Sequence, residues 1–488
     1  MATVDLVRTP SLIHDYSRFA FAILALSLVA VLAGCSDSSE SHGSDTGASL
    51  SCLDGAGLIT GEATTVDVVV DFSRPESVAT LTGVLHGITA ETPYHAIADI
   101  QLAAARGRGV FQDVFAMHGI TPVLVVSDRV KLGGESPAAN WSAYEDQVRD
   151  LAVEYGTTVI YDLWNEPDQF FFWPFWSEIL ADDNDDTAEF LEAFKRAHDA
   201  IRDVLGDEAV ISGPSISGIE ESLIQRFMDF SLREGLTVQV LSVHSLFDPD
   251  STLVEVEQTL SRVYQEYIAG PEYSEVGVVE LHVNEYGAPK QYGRPGSMLA
   301  LMRVMERAGV TQAMRAAWGR SEAFTDDING LLVFTGAAEP LVEVEPNPGA
   351  MSDLLTPDLR PRPIWWAYKY YADGAGSRVA ADSELDYIMP LASSTSESIN
   401  YNQLLLAAYD SENYPERPDK LGIQLKGLTN SSSGVTVELI RIPYDDAATL
   451  DMPTTADECE LRTEAGGSMT FSVEMPGDYE VLALRIAE

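Results

Sequence analysis

The sequence predicts an α/β protein, a (β/α)8 TIM barrel followed by an antiparallel β-sandwich domain, and three observations support this prediction. Strand-like and helix-like stretches alternate from about residue 64 to 375, which is typical of a barrel of parallel strands. Two of these strands end in Asn-Glu, at residues 165–166 and 284–285. Beyond residue 376 the pattern changes to short strands separated by Asn, Ser, Asp and Gly, as in a sandwich.

The first 34 residues have the features of an export signal. Arg8 and Arg18 precede the apolar run Phe19–Ala33, whose fifteen residues suit a signal peptide better than a membrane span, which needs about 20 residues. The run ends in Leu32-Ala33-Gly34-Cys35, which resembles the lipobox of bacterial lipoproteins. The resemblance implies that Cys35 is lipidated and that the protein is exported and anchored to the bacterial cell envelope. The alternative is an ordinary secretory signal with an unrelated cysteine.

Residues 35–63 are predicted to form a flexible tether, because Ser, Gly and Asp dominate them. The two other cysteines are Cys52 and Cys459. In an oxidising compartment they are expected to pair and so to join the start of the fold to its C-terminal domain, although two free thiols are the alternative.

The chain is strongly acidic, since 76 Asp and Glu residues outnumber 30 Lys and Arg residues and give a formal charge of −46. Such a surface repels nucleic acid and anionic lipid, so no nucleic-acid partner is expected and membrane contact is expected through the lipid anchor only. We interpret the charge as a solvated acidic shell rather than as a site for a cationic ligand.

The barrel is predicted to span residues 64–375, with Glu166 ending the fourth strand and Glu285 ending the seventh. The second strand has no clean β run and is placed near residues 97–104. The other strands are predicted at residues 83–88, 122–128, 159–166, 209–214, 238–244, 278–287 and 314–318. Apolar residues at helical spacing predict helices at residues 141–155, 190–204, 223–232, 254–267, 298–307 and 364–371.

The two strand-ending glutamates form a candidate catalytic pair, because barrel enzymes keep their chemistry at the carboxyl ends of the strands. Breaking a glycosidic bond requires one carboxylic acid that protonates the leaving oxygen and a second carboxylate at the anomeric carbon. A separation of about 5–5.5 Å between them gives retention of configuration. A single Asn-Glu-Pro is usually an ordinary turn, but two Asn-Glu strand ends in one barrel favour the catalytic interpretation.

The motif around Glu166 resembles that of the clan A retaining glycoside hydrolases. The sequence Leu163-Trp164-Asn165-Glu166-Pro167-Asp168, followed by Phe172-Trp173, is most similar to family 39, the β-xylosidases and α-L-iduronidases. Family 86, the agarases and porphyranases, is the second choice. The resemblance implies a hydrolase that cleaves O-glycosidic bonds of plant or algal poly- or oligosaccharides by a two-glutamate double displacement.

The same resemblance implies roles for individual residues. Glu166 would be the acid/base, Glu285 the nucleophile and Asn165 the partner of the sugar 2-hydroxyl. Trp318, at the end of the eighth strand, matches the sugar-stacking tryptophan of the clan, and His244 matches the histidine that ends the sixth strand.

Three positions depart from the pattern of the clan, and one of them is Asn284, where Thr or Ser is more common before the glutamate. The tyrosine usually found two residues after the strand-six histidine is Leu246, so Tyr286 is proposed to replace it. The arginine of the second strand has two candidates, Arg106 and Arg108. Because the tyrosine is missing, a catalytically silent carbohydrate-binding surface lipoprotein on the same fold is the alternative function.

An aromatic stretch at residues 170–176 follows the acid/base, and its rings either stack against sugars or cover the barrel mouth. We choose Trp173 as a substrate-binding residue. The acidic run at residues 182–186 is interpreted as a helix cap rather than a calcium site, and neither a metal nor a cofactor is expected. Residues 376–488 are predicted to be a structural cap on the barrel rather than a separate carbohydrate-binding domain, and residues 66–72 are predicted to add a strand to them.

Overall fold

The structure is a computed structural model of the 488-residue chain. It describes residues 51–52, 58–60, 65–85, 97–107, 118–131, 136–169, 185–246, 252–287, 294–316, 360–396, 399–409, 417–428, 434–444, 450–461 and 467–488. None of the helices within these ranges combines the length and the apolar character of a bilayer-spanning segment. The predicted export signal and Cys35 lie outside the described residues.

Three strands precede the barrel, and all of them belong to the large sheet: β1 (Ser51–Cys52), β2 (Ile59–Thr60) and β3 (Val68–Pro75). Val68 and Val70 of β3 are fully buried, because alternate side chains of a strand face the same side. The strand predicted at residues 66–72 therefore lies in the sheet as expected. The predicted tether differs, since its residues 51–52 and 59–60 are sheet strands.

Eight parallel strands form the closed barrel, as the sequence predicts. They are β4 (Gly83–Leu85), β5 (Ala104–Gly107), β6 (Thr121–Val125), β7 (Ile160–Asp162), β8 (Val210–Ile216), β9 (Val240–Ser245), β10 (Glu280–Tyr286) and β11 (Gln312–Arg315). Glu166 follows the fourth of these strands and Glu285 lies near the end of the seventh.

The second barrel strand corrects the prediction, which placed it at residues 97–104. It is β5, Ala104–Gly107, and residues 97–98 are helical. Ala-Ala-Arg-Gly has little intrinsic strand propensity, so its neighbours define it: Ala105 pairs with Val84 on one side and with Pro122 on the other.

The described helices are α1 (Trp141–Tyr155), α2 (Asp185–Leu205), α3 (Glu221–Glu234), α4 (Leu253–Tyr267), α5 (Pro295–Arg307) and α6 (Pro363–Ala375). Polar residues define two of their starts. The Asn140 side chain accepts a hydrogen bond from the amide of Ala143, and Thr252 and Glu255 form a capping box at α4. All six predicted helices fall within these bounds.

The C-terminal domain is one eleven-stranded sheet that includes β1–β3. Its other strands are β12 (Arg378–Ser383), β13 (Ile388–Ser393), β14 (Asn402–Ala408), β15 (Lys420–Lys426), β16 (Val435–Ile442), β17 (Thr455–Leu461), β18 (Met469–Glu474) and β19 (Val481–Ala487). Neighbouring strands are antiparallel except β3 and β15. Asp457 of β17 accepts hydrogen bonds from the amides of Leu58 and Ile59 at the β2 edge, so the sheet curls around its own apolar core.

The register of β1 bears on the predicted disulfide. Cys52 lies directly opposite Cys459 of β17, and Cys459 is disulfide-bonded. This register fits the predicted disulfide, which would link β1 to the neighbouring strand β17.

Helix α5 connects the barrel to the sheet through buried charges. Arg303 and Glu306 of α5 form an ion pair of 3.3 Å, and Glu306 also pairs with Arg378 of β12 at 3.2 Å. Gly296, at the start of α5, donates its amide to the carbonyl of Tyr479. A Cβ at Gly296 would lie 2.2 Å from the carbonyl oxygen of Ala408, so only glycine permits this approach.

Candidate active site

The backbone at the carboxyl ends of two barrel strands aims the two glutamates. Glu166, just beyond β7, has a φ of 44°, which is unusual for a residue with a side chain, and it donates its amide to the carbonyl of Ser215 at 2.9 Å. On β10 the register against β9 shifts between Val283 and Glu285, as at a β-bulge. Such irregularities redirect side chains and are common next to active sites.

Glu166, His244 and Glu285 converge, and all three are buried. One carboxylate oxygen of each glutamate and one ring nitrogen of His244 all lie within 4.8 Å of one another. His244 Nδ1 lies 2.8 Å from Glu166 Oε1 and 3.9 Å from Glu285 Oε2. The structure thus brings together the two predicted catalytic carboxylates and the predicted strand-six histidine.

Arg106 of β5 is the cation of the site. Its Nη1 donates to Glu285 Oε1 at 2.6 Å, its Nη2 to Asn165 Oδ1 at 2.7 Å and its Nε to Asp162 Oδ2 at 2.7 Å. Arg106, one of the two arginine candidates, therefore lies at the site, and Arg108 lies outside the described residues.

A buried polar network that we did not single out from the sequence surrounds Arg106. Asp162, the last residue of β7, accepts hydrogen bonds from Ser215 Oγ and from Asn284 Nδ2. Ser215 has a φ of 53° and shares a hydrogen bond of 2.7 Å with Ser242 of β9. The available signal was a charged residue inside the apolar run of the fourth strand, because a buried charge needs partners.

The environments of the two glutamates differ in charge. Burial, followed by the negative charge of Asp168, raises the pKa of Glu166 to about 7, and the charge of Arg106 acts against this rise. Burial also raises the pKa of Glu285, but Arg106 donates a hydrogen bond directly to this carboxylate and favours its ionised form. Burial lowers the pKa of His244 to about 4, so the imidazole is neutral at neutral pH. The site therefore suits one protonated and one ionised carboxyl group.

The structure corrects the interpretation of Tyr286. Its side chain is fully buried, and its hydroxyl shares a 2.7 Å hydrogen bond with that of Tyr368 on α6. At the register shift of β10, Asn284 and Glu285 both face the polar network around Arg106, whereas Tyr286 packs outwards against a helix. Tyr286 does not replace the tyrosine that is absent at Leu246; among the described residues, Arg106 and His244 are the groups that contact Glu285.

The remaining predicted substrate-binding residues have different outcomes. Asn165 lies in the site, and its backbone amide donates a hydrogen bond of 3.1 Å to Ser127 Oγ. Trp173, with the rest of the aromatic stretch 170–176, and Trp318 lie outside the described residues. The carboxylate oxygens of Glu166 and Glu285 and the ring nitrogen of His244 are close enough together to bind a metal ion. Arg106, however, already neutralises the charge of Glu285 through an ion pair.

No protein-family model and no curated protein matches this chain. Solved structures do share its fold. The chain is similar to the structure of N2152 from Neocallimastix frontalis, with a TM-score of 0.66, 17% identity and coverage of 87% of this chain and 100% of the other. It is also similar to a glucosidase from Croceicoccus marinus, with a TM-score of 0.57, 13% identity and coverage of 87% and 99%.

A third similar structure is a bacterial orthologue of human α-L-iduronidase, with a TM-score of 0.53, 12% identity and coverage of 86% of this chain and 83% of the other. At these identities the likeness establishes the shared fold, a closed barrel with a large attached sheet. Two of these three structures are glycosidases by name, a glucosidase and an orthologue of α-L-iduronidase.

Proposed function

We propose that this protein is a retaining glycoside hydrolase in which Glu285 is the nucleophile and Glu166 is the general acid/base. The observation that carries the proposal is the approach of two buried carboxylates to within 4.8 Å at the carboxyl edge of a closed barrel. Retaining enzymes keep their two carboxyl groups about 5–5.5 Å apart, which leaves no room for a water molecule between the acid and the sugar carbon.

In the first step, the ionised Glu285 attacks the anomeric carbon while Glu166 protonates the departing oxygen. The pKa of about 7 lets Glu166 hold this proton near neutral pH. In the second step, the Glu166 carboxylate takes a proton from water while the water oxygen attacks the anomeric carbon, and the bond between this carbon and Glu285 breaks and releases the Glu285 carboxylate. Asn165 Oδ1 is occupied by Arg106, so its Nδ2 is the donor for the sugar 2-hydroxyl.

The charges around the pair favour a neutral sugar. Arg106 already uses its Nε, Nη1 and Nη2 in hydrogen bonds to protein groups. The charges of Asp128 and Asp168 both add negative potential at Glu166. A uronate or sulfate group would meet this negative field, so we propose a β-xylosidase-like or agarase-like activity on neutral glycosides.

Activated 2-deoxy-2-fluoro glycosides test the nucleophile, because they form the glycosyl–enzyme but hydrolyse slowly. We expect the mass of one sugar on a peptide that contains Glu285. Labelling of another residue, or undiminished turnover by Glu285→Ala, would overturn the assignment. A protein that binds glycans but neither hydrolyses nor becomes labelled would instead be the silent carbohydrate-binding protein.

Screening aryl xylosides beside neutral and sulfated marine polysaccharides tests the substrate class. We expect activity on the neutral substrates. Hydrolysis of uronic-acid glycosides alone would contradict the preference for a neutral sugar and would favour an iduronidase-like activity.

We propose in addition that Cys35 is lipidated and anchors the exported protein to the cell envelope, at the outer membrane or the cell surface. The support is the sequence Leu32-Ala33-Gly34-Cys35 at the end of the apolar run. Cys35→Ser should move the protein from the membrane fraction to the soluble fraction and remove the lipid mass from its N-terminal peptide. An unchanged distribution of the variant would argue for a non-lipidated secretory signal.

A further inference from the structure

Asp162 is a buried carboxylate for which the proposed reaction has no direct use. It ends β7, the strand that leads to Glu166, and its side chain is fully buried. Burying a carboxylate is unfavourable unless charges and hydrogen bonds compensate it. The partners of Asp162 therefore indicate what this residue does.

The donors that surround Asp162 come from three other barrel strands. Its Oδ2 lies 2.7 Å from both Nε and Nη2 of Arg106 on β5 and accepts a hydrogen bond of 3.1 Å from Asn284 on β10. Its Oδ1 accepts a hydrogen bond of 2.5 Å from Ser215 Oγ on β8. The carboxylate is thus held in one orientation, and it fixes one edge of the guanidinium.

The fixed edge determines where the rest of the guanidinium lies, because this group is planar and rigid. Its Nη1 then reaches Glu285 Oε1 at 2.6 Å, and its Nη2 reaches Asn165 Oδ1 at 2.7 Å. A guanidinium only donates hydrogen bonds, so the contact also decides that Asn165 presents its oxygen to Arg106 and its Nδ2 elsewhere.

We propose that Asp162 is a positioning residue, which holds the Arg106 guanidinium in contact with both the Glu285 carboxylate and the Asn165 amide. The proposal deepens the proposed function and depends on it only where Glu285 and Asn165 act on a sugar. The placement of Arg106 by Asp162 can be tested without any substrate.

Removing the charge of Asp162 changes the pKa of Glu285 in one of two opposite directions, depending on the role of Asp162. The described charged and titratable groups that act on Glu285 are Arg106, His244 and Glu166. If Asp162 acted only as a nearby negative charge, Asp162→Asn would lower the pKa of Glu285. If Asp162 positions Arg106, the variant weakens the direct Arg106–Glu285 contact and the pKa of Glu285 rises.

The first experiment follows the ¹³C signal of the Glu285 carboxyl group against pH, in the whole protein and in Asp162→Asn. The signal is identified in each background by its loss in Glu285→Gln. We expect Glu285 to titrate at higher pH in Asp162→Asn. A lower or unchanged titration would overturn the proposal, whether or not the protein hydrolyses any glycoside.

The matched control is Asp457→Asn, which makes the same change at a buried aspartate of the sheet. It should lower thermal stability and leave the Glu285 titration unchanged. If Asp162→Asn does not fold, Ser215→Ala removes one of the donors to Asp162 and should shift the Glu285 titration upwards by a smaller amount. No shift in that variant would count against the proposal.

The second experiment compares hydrolysis of a glycoside and of its 2-deoxy analogue. Misplacement of Arg106 should lower kcat for the normal glycoside by about 10²-fold with a smaller change in KM, which is the scale of a misplaced catalytic group. The loss should be smaller for the 2-deoxy analogue, because that substrate does not use Asn165. Equal losses on both substrates would refute the link from Asp162 to Asn165. A wild-type protein that hydrolyses neither would refute the proposed function, while the titration would still decide the role of Asp162.

Discussion

Asp168 is the nearby charge that contributes most to the raised pKa of Glu166. Asp168→Asn removes this negative charge, so the pKa of Glu166 should fall. The basic limb of the kcat/KM profile reports the acid form of the free enzyme, and it should move to lower pH.

The control for Asp168→Asn is Ser217→Ala. The Ser217 amide and hydroxyl both donate to Asp168, so Ser217→Ala removes one hydrogen bond and leaves the charge of Asp168 in place. The basic limb should not move to lower pH in this control. An equal downward shift in both variants would show that loop geometry, not charge, sets the proton affinity of Glu166.

Glu166→Gln removes the proton donor and leaves the nucleophile. Glycosides with poor leaving groups should lose about 10²–10⁴-fold in rate, the usual value of general acid assistance, whereas activated aryl glycosides should lose much less in the first step. In Glu166→Ala, azide needs no general base, so it should restore turnover and yield a glycosyl azide of retained configuration. An azide product of inverted configuration would mean that Glu285 does not form a covalent intermediate.

The sequence predicts those site residues that stand at the end of a recognisable strand. Glu166, Glu285 and His244 each lie at or just beyond the end of a recognisable strand, and the structure brings them together. Arg106 is only one of two candidates in the sequence, because the predicted second strand, residues 97–104, ends before it. Tyr286 was placed wrongly, since the side to which a residue points depends on the strand register.

At the scale of elements, the helices were predictable because apolar periodicity and capping residues are local properties of the sequence. The strand β5 was not, because Ala-Ala-Arg-Gly becomes a strand only through pairing with β4 and β6. The positive φ of Glu166 and the register shift before Glu285 were equally invisible, since neither position contains a glycine or proline that would mark them. These irregular positions orient the site.

Asp457 is predicted to hold the two edges of the sheet together. Asp457→Ala leaves the amides of Leu58 and Ile59 without their acceptor, which should lower the free energy of unfolding by about 1–3 kcal/mol. Hydrogen exchange should accelerate at these two amides. Asp451→Asn, which removes an exposed partner of Arg360, is the control and should change stability by less than about 1 kcal/mol. Unchanged exchange at residues 58 and 59 would contradict this role of Asp457.

At the scale of the whole molecule, the sheet takes strands from both ends of the described chain. The sequence predicted β3 as such a strand but not β1 and β2, which have two residues each and are defined by long-range pairing. Strands from before the barrel thus pair with strands from after it, so the barrel is inserted between two segments of the chain that belong to one sheet. We therefore expect the barrel and the sheet to unfold as one unit.

Glu306 provides the test of this coupling, because it lies fully buried between Arg303 of α5 and Arg378 of β12. Glu306→Gln leaves two buried arginines without their shared carboxylate. The loss of one member of a buried ion pair is worth about 3–5 kcal/mol, and calorimetry should show it as a lower Tm for a single transition of barrel and sheet together.

The matched control is Glu257→Gln, which removes a carboxylate that pairs at 3.0 Å with Arg307, on the same helix α5, in a partly exposed position. A partly exposed pair is worth about 0–1 kcal/mol, so this variant should have nearly the Tm of the wild type. If Glu306→Gln instead split the melting curve into two transitions, with only one of them shifted, the barrel and the sheet would be separate folding units and the ion cluster would merely join them. A single transition shifted far more by Glu306→Gln than by Glu257→Gln would mean that the barrel and the sheet unfold as one cooperative unit, which the buried charges at α5 stabilise.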